Sequence, residues 1–469
     1  MDKLEEKLRI IKMFGYCLSK RDILLESVGI KGKGICDMRS IWEEGAKREE
    51  NPALTKHVQT DVLVIGGGMC GILTAYFLKR AGVQVLLVEK GQVGSGVTKH
   101  TTAKITAQHG LIYADLIRRF GIERARQYYD ANTRAIKQYR DLAQMFPCDF
   151  QRQAAYVYSE HHEKKLEEEQ KAYERLEIST KLIESLKLPF ATVSAIEMKA
   201  QAQFHPLKLL YALADTLDIY ENTPVLQIRG NLARTPQGSV CAKYIILATH
   251  YPLVNIPGLY FLKLYQDRSY VKAFSHAPFP DGMYIDAEKG GFSFRSYQGM
   301  LLIGGGAHKT GTCGGGYAAI DHFAEKVYPQ AKLEYAWATQ DCMPLDKLPY
   351  IGRHRLGSGK LFVATGFHKW GMTSSMLAAE KLTNLVLEKG EDTLQSLKPQ
   401  RSMLCKQLCL NIGSAVKGLF SAGGPRCSHM GCKLQKNTEE STWDCPCHGS
   451  RFTEDGQVIE NPAKREIRI

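Results

Sequence analysis

Apolar residues along the chain alternate between two rhythms. Asp61-Val62-Leu63-Val64-Ile65 is a short, continuous, β-branched run, the pattern of a strand buried on both faces. Gly66-Gly67-Gly68-Met69-Cys70-Gly71 follows at once. Ile72 to Arg80 then carries helical spacing up to Ala81-Gly82, and Val83 to Val88 reads as a second strand ending at Glu89. The pattern predicts one complete βαβ unit with a glycine turn at its first junction.

Further helical patterns span residues 111–145 and 160–186, the second with charge on its outer faces, as expected of a solvated helix. Strand-like stretches follow at 225–228, 244–248, 270–274, 283–286, 291–295, 301–304 and 361–364, and a helix is expected over 372–387. Residues 1–55 form a polar lead-in, in which Leu4, Leu8, Ile11 and Phe14 have the spacing of a short amphipathic helix. Residues 392–421 read as a less regular linker before a Cys- and Gly-rich end with short strands.

Composition narrows the class. The 469 residues are 44% hydrophobic and 24% charged, which suits two or three globular domains. A net charge of +13 admits nucleic acid, a membrane surface or an acidic partner. Lys and Arg are spread along the chain and no nucleic-acid motif occurs, so a basic enzyme is expected. No apolar run is long enough for an integral membrane segment, and the charged start is unlike a secretory signal. Of 13 cysteines, six lie between Cys405 and Cys447, clustered as in metal sites, so a reducing cytoplasmic location is expected.

Two boxes stand out: Cys427-Ser428-His429-Met430-Gly431-Cys432 and Cys445-Pro446-Cys447-His448-Gly449-Ser450, with fifteen residues between His429 and Cys445. Each offers one thiolate and one imidazole to a metal on a tight loop. Zinc commonly binds such sets. The interleaving of the boxes closely resembles the Rieske family, which implies a [2Fe–2S] cluster with Cys427 and Cys445 on one iron and His429 and His448 on the other. Two neutral histidines in place of thiolates raise the potential to roughly −150 to +300 mV. Ser450 is placed to donate to a cluster sulfur. Cys432 and Cys447 are left over, one per box, and a disulfide between them is expected, protected by burial. Little chain precedes the first box, so this trimmed module is expected to lean on the rest of the protein.

Gly66-x-Gly68-x-x-Gly71 alone is a weak signal. Here it follows a strand, opens a helix and lies 18 residues before Glu89, which makes it a dinucleotide site. Gly66 permits the turn, Gly68 lets a pyrophosphate approach, Gly71 lets the helix pack, and Glu89 accepts from ribose hydroxyls, disfavouring NADP. The stretch from Gly94 through Ser95, Thr98, Thr101, Thr102 and Ala103 to Lys104 resembles the second phosphate and isoalloxazine loop of the D-amino-acid-oxidase-like flavoproteins. Residues 245–250 resemble that family's returning strand, and 361–373 its C-terminal flavin strand and helix start. The resemblance implies FAD, contacted also by Lys90, Val225, Thr249, Gly366, Gly371, Met372 and Thr373. Over the whole chain, the stretches Gln201 to Pro206, Ala248 to Pro252 and Gln340 to Met343 resemble bacterial FAD-dependent oxidoreductases carrying a C-terminal Rieske domain, a group that implies electron traffic between FAD and the cluster.

In amino-acid-oxidising relatives an arginine before the Pro-Tyr-Ile-Gly stretch grips the substrate carboxylate. In the matching stretch here Asp341 stands at that place, which argues for an amine-type substrate over a simple α-amino acid. A structural cap is the competing role for Asp341. Trp370, His308 and Arg295 complete the catalytic candidates; Tyr297, His205, His250, Tyr251, His368 and Lys369 lie in or beside the matched stretches. Cys342 and Cys313 are nominal sites for covalent flavin.

The expected fold is α/β plus β. A doubly wound parallel-sheet FAD part (58–105, 215–260 and 335–392) carries an inserted antiparallel-sheet substrate part, after an N-terminal extension (1–57) and before a linker (393–419) and a small Rieske β domain (420–469). Three functions fit: an FAD-dependent oxidoreductase passing electrons through the cluster between a small substrate and an external acceptor, or in reverse from an external donor; an O2-using amine or amino-acid oxidase with a structural cluster; and a non-enzymatic electron-transfer or redox-sensing protein.

Overall fold

The computed structural model describes residues 39–255, 258–355, 359–390, 392 and 394–469. The helix expected around Leu4 to Phe14 lies outside these residues.

The predicted βαβ unit is present as strand His57–Ile65, helix Met69–Arg80 and strand Val85–Val88. The two strands pair in parallel, and Val62, Leu63, Val64 and Leu87 are fully buried, as a continuous apolar run requires. Glycine is obligatory at the junction. A Cβ on Gly71 would stand 1.9 Å from Gly66 O, and one on Gly66 would stand 2.4 Å from Ala248 O. Strands Ser239–Leu247, Leu361–Thr365 and Ile219–Tyr220 extend the sheet in parallel, and Tyr350–Arg353 closes one edge antiparallel. Helices Met69–Arg80 and Gly371–Val386 pack together on one face.

The second sheet runs in the order Lys332–Pro344, Leu264–Ser275, Met300–Lys309, Ser293–Tyr297, Met283–Asp286, Gln151–Ser159, Ser194–Gln203, Lys104–Ile105, with Lys181–Ile183 added beside Ser194–Gln203. Residues 335–344 and 104–105, expected in the FAD part, are therefore strands of this sheet. Their long antiparallel partners hold them there: Leu264–Ser275 is bonded along its length to Lys332–Pro344.

Three local expectations need correction. The helix predicted over 160–186 ends at Arg175, where Glu177 adopts a left-handed φ of +53°, and its supposedly solvated surface hides Glu169. The expected linker contains helix Lys406–Phe420. The lead-in is not uniformly polar: Ser40 caps a short helical turn whose Ile41 and Trp42 are buried, and Trp42 Nε1 donates to Thr101 O at 2.7 Å.

The last element is a four-stranded antiparallel sheet, Gln435–Asn437, Thr442–Asp444, Arg451–Phe452 and Val458–Glu460. Its own core is small: Leu434, Phe452 and Ala463 around four buried cysteines. A core of this size needs support, and the second sheet gives it. Arg268, buried in strand Leu264–Ser275, donates through Nε to Glu440 Oε2 at 3.0 Å, and Arg451 NH2 lies 2.9 Å from Glu440 Oε1. Burying one carboxylate between two guanidiniums offsets the desolvation that each charge incurs.

Candidate active site

A cavity of about 1710 Å³ runs through the molecule from the glycine turn to the C-terminal sheet. One end is lined by Gly66, Gly68, Glu89, Lys90, Ser95, Thr98, Val225 and Thr249, and the middle by Thr101, Thr102, Gly371 and Met372. The opposite wall carries Asp341, Trp370 and His308, together with Val458 to Arg465 of the last strand and its following loop.

The dinucleotide end is built by local bonds. Glu89 Oε2 accepts from Gly67 N–H at 2.6 Å and Oε1 accepts from Gly91 N–H at 3.0 Å, fixing the acid at its strand end. Thr98 Oγ1 accepts from Met69 N–H at 3.0 Å, at the start of helix Met69–Arg80. The remaining flavin candidates stand behind the wall. Gly71 packs helix on strand. Ala103 takes a left-handed φ of +54°, with its N–H given to Thr101 Oγ1 at 3.0 Å. Gly366 has φ +72°, and Thr373 Oγ1 donates to Thr106 O at 3.2 Å. The close glycine approach and the cavity beside the helix N-terminus fit a dinucleotide pyrophosphate.

The substrate-side wall comes from sheet register. Asp267 stands opposite Asp341, and Ser269 opposite Thr339, on neighbouring antiparallel strands, and all four line the cavity. Asp267 also stands opposite Lys309 on its other side. Lys369 Nζ donates to Ser269 Oγ at 2.7 Å and lies 4.0 Å from Asp341 Oδ2. Burial raises the Asp341 carboxyl above its ordinary value, and Lys369 partly opposes that. Trp370 stacks on His109 at 4.7 Å and 16°, and His308 on Tyr270 at 5.7 Å and 25°.

Other candidates are placed differently. Arg295 does not line the cavity: it is fully buried, and its NH1 donates to Thr102 O at 2.8 Å and Ala103 O at 3.0 Å. It sits at an inward position of its strand, and its guanidinium lies over the Trp42 and Tyr297 rings. Tyr297 is likewise outside the lining, its hydroxyl donating to Asp149 Oδ2 at 2.6 Å. His205 caps helix Pro206–Ala214. Cys342 is buried and Cys313 exposed, and neither lines the cavity. Asp267, His109, Lys309 and Lys104 were not singled out in sequence. Strand pairing across long intervals brings Asp267 and Lys309 here, side-chain bonds to Tyr128 and Thr373 hold His109, and Lys104 ends the flavin-loop stretch without its role being marked there.

At the iron–sulfur end, Cys427 and Cys445 are buried and the rings of His429 and His448 lie 5.0 Å apart at 89°. Nδ1 of both histidines is buried and, among the described residues, makes no hydrogen bond. Two orphaned imidazole nitrogens beside two buried thiols are the donor set that a Rieske cluster requires, and these residues fit it. Ser450 Oγ accepts from Ala463 N–H at 3.0 Å and contacts the Cys427 thiol. The structure does not show the expected Cys432–Cys447 disulfide. Both are free thiols, and their sulfurs share a triad with Cys445 in which all lie within 4.8 Å.

The histidine edge of this site faces the rest of the protein. Asn255 Nδ2 lies 3.0 Å from His429 Nε2, and the Phe261 ring lies 6.2 Å from that of His448. Asn461 Nδ2 donates to Thr249 O and Tyr251 O, both at 3.2 Å, tying the loop after the last strand to the end of the returning FAD-sheet strand.

Comparison with known proteins agrees with this geometry. Residues 61–385 match the family model described as DAO, FAD dependent oxidoreductase, and residues 387–469 match the Rieske [2Fe-2S] domain. The Bacillus subtilis (strain 168) protein YhfW, whose name gives it a Rieske 2Fe-2S iron-sulfur group, is 36% identical over 491 residues, covering 91% of this chain and 96% of its own. Glycine oxidase from Geobacillus kaustophilus superposes with a TM-score of 0.61 at 20% identity, over 74% of this chain and 100% of that one. L-proline dehydrogenase from P. horikoshii does so with a TM-score of 0.61 at 17% identity, over 73% and 98%. The chain belongs to the DAO family of FAD-dependent oxidoreductases and carries a C-terminal Rieske [2Fe–2S] domain.

Proposed function

We propose that the protein oxidises a small amine-type substrate at FAD and passes the electrons singly through its Rieske cluster to an external acceptor. The observation that carries this reading is one cavity whose wall includes the dinucleotide turn, Asp341 and the Rieske residues Val458 to Arg465. When bound, FAD supplies a two-electron acceptor and the cluster a one-electron carrier.

The chain's own groups define what enters. Asp341 holds the position at which amino-acid oxidases place an arginine, and its carboxylate attracts an ammonium and repels a carboxylate. Asp267 beside it doubles the acidic surface, while Lys309 and Lys369 limit its net charge. Trp370 and His109 present a flat stacked aromatic surface to the cavity. The structural neighbours named for glycine and proline share the fold at 20% identity or less, so the amine reading rests on Asp341 and not on their names.

The test is an anaerobic titration of the purified holoprotein, followed by visible absorption and EPR. Flavin bleaching together with a low-average-g EPR signal on adding small primary amines supports the reading. Hydrogen peroxide formed in step with amine, with the cluster unchanged, favours an oxidase with a structural cluster. Zinc in place of iron sinks the electron-transfer reading.

A further inference from the structure

Lys104 lies on the short strand Lys104–Ile105, directly after the Thr101–Thr102 wall of the cavity. Only 9% of the residue is exposed, yet it lines the cavity. Among the described residues no carboxylate, carbonyl or hydroxyl accepts a hydrogen bond from its Nζ. Buried lysines are almost always paired. This one stands instead beside a second cation, the buried Arg295. The backbone before it is locked. Arg295 NH1 binds the Thr102 and Ala103 carbonyls, Ala103 is held in a left-handed turn, and Lys104 pairs with Gln203 across the strand.

Among the described residues, Arg295 is the charge that acts on it. Strand Ser194–Gln203 offers Gln203. Helix Gly371–Val386 offers Met372 and Ser375 to the shared cavity, and strand Ser293–Tyr297 offers Arg295. His100 and His109, also on the cavity wall, are held neutral by burial, pushed down to about 4 and about 3. Burial first, and the Arg295 charge second, bring the Lys104 amine down to about 7.

We propose that Lys104 is the proton acceptor of the flavin cavity, taking one N–H proton from the substrate ammonium. The substrate N–H bond breaks and an N–H bond forms on Lys104 Nζ, so the positive charge moves from substrate to lysine with no change in electron count. The substrate is left as the neutral amine, whose lone pair a hydride-type oxidation needs. A lysine already neutralised by a carboxylate could not do this, and its isolation from acids is the geometric basis of the role. The inference deepens the amine reading and rests on it.

The test is the flavin midpoint potential of the holoprotein, measured spectroelectrochemically between about pH 5.5 and about pH 9. An amine that titrates against the flavin puts a break in the potential–pH plot near neutrality. The expected result is that Lys104→Met and Lys104→Arg both remove the break, with the Arg variant keeping the higher potential throughout because its charge persists. A wild-type plot with no break, or a break that survives in both variants, overturns the proposal. In parallel, anaerobic flavin reduction by benzylamine and putrescine is followed against pH. Reduction that rises through the same break in the wild type, and not in Lys104→Met, supports proton transfer. Reduction with an unaltered pH profile in Lys104→Met overturns it. If neither amine reduces the wild-type flavin while the break is present and lost in both variants, the amine reading fails but the titrating lysine stands.

Discussion

Gln340 donates through Nε2 to Gln266 Oε1 at 2.9 Å, and the pair clamps the Rieske module to the second sheet. Gln340 Nε2 also reaches Gly449 O at 2.8 Å, and Gln266 Nε2 donates to His448 O at 3.0 Å and Asn461 O at 3.1 Å. Both side chains are 1% exposed. Gln340→Leu strands a set of buried acceptors, at about 1–3 kcal/mol each. Thermal melts recorded separately at cluster and flavin wavelengths should show the cluster signal lost first and at lower temperature in the variant. Coincident, unshifted melts would count against the clamp.

Two glycines of helix Lys406–Phe420 should respond in opposite directions. A Cβ at Gly418 would stand 2.5 Å from Cys447 Sγ, whereas one at Gly413 meets nothing within 4 Å. Gly418→Ala should therefore overpack the cluster loops by about 1–3 kcal/mol and lower iron retention. Gly413→Ala should stabilise the helix by about 0.5–1 kcal/mol and leave iron unchanged. Iron analysis and denaturant melts of both variants check the pair.

Replacing a cluster ligand should separate the two cofactors. Cys427→Ser and His448→Leu are expected to lower iron from about two per chain to near zero while FAD is retained. Peptide mapping of the iron-loaded wild-type protein under non-reducing conditions should recover Cys432 and Cys447 on separate peptides, as their free thiols require; a linked peptide would show that they pair.

Asp341 predicts both a substrate preference and its pH dependence. Its carboxyl is raised by burial, so amine affinity should improve as pH climbs through a value above the ordinary carboxylate range. Asp341→Asn should flatten that dependence and weaken amine binding by about tenfold, the loss of one charge-assisted contact. Flavin spectral perturbation by a non-reacting amine gives the affinities.

Glu169 should impose a stability slope. It is buried and accepts from Tyr113 N–H at 2.7 Å and Ala114 N–H at 2.9 Å, yet burial lifts it from 4.5 to about 7. The folded state therefore holds a proton that the unfolded chain releases. Stability from this group falls as pH rises from 4.5 to about 7 and is flat above, by about 3 kcal/mol at most. The wild-type-minus-Glu169→Gln difference in unfolding free energy should trace that fall.

What could be read from the sequence was what contiguous residues decide. The glycine turn is legible because Gly66 and Gly71 are forced by backbone contacts within one βαβ unit. The cluster boxes are legible because each loop delivers its ligands from neighbouring positions. Arg295 was misplaced because a strand shows which residues share a face but not which face meets the cavity. Lys104 lay in a recognised stretch, but its significance comes from what is missing around it, and sequence carries no sign of an absent carboxylate. Asp267 needed the register of two strands more than seventy residues apart.

The loop from Val458 to Arg465 has a consequence for biogenesis. It is both the end of the iron–sulfur module and part of the wall of the flavin cavity. A newly made chain that has not received iron lacks the centre that orders Cys427 and Cys445, and with it the anchor of that wall. Maturation then has two separable steps: the dinucleotide end, built by residues 66–98, retains the flavin, and iron–sulfur delivery secures the far wall of the pocket.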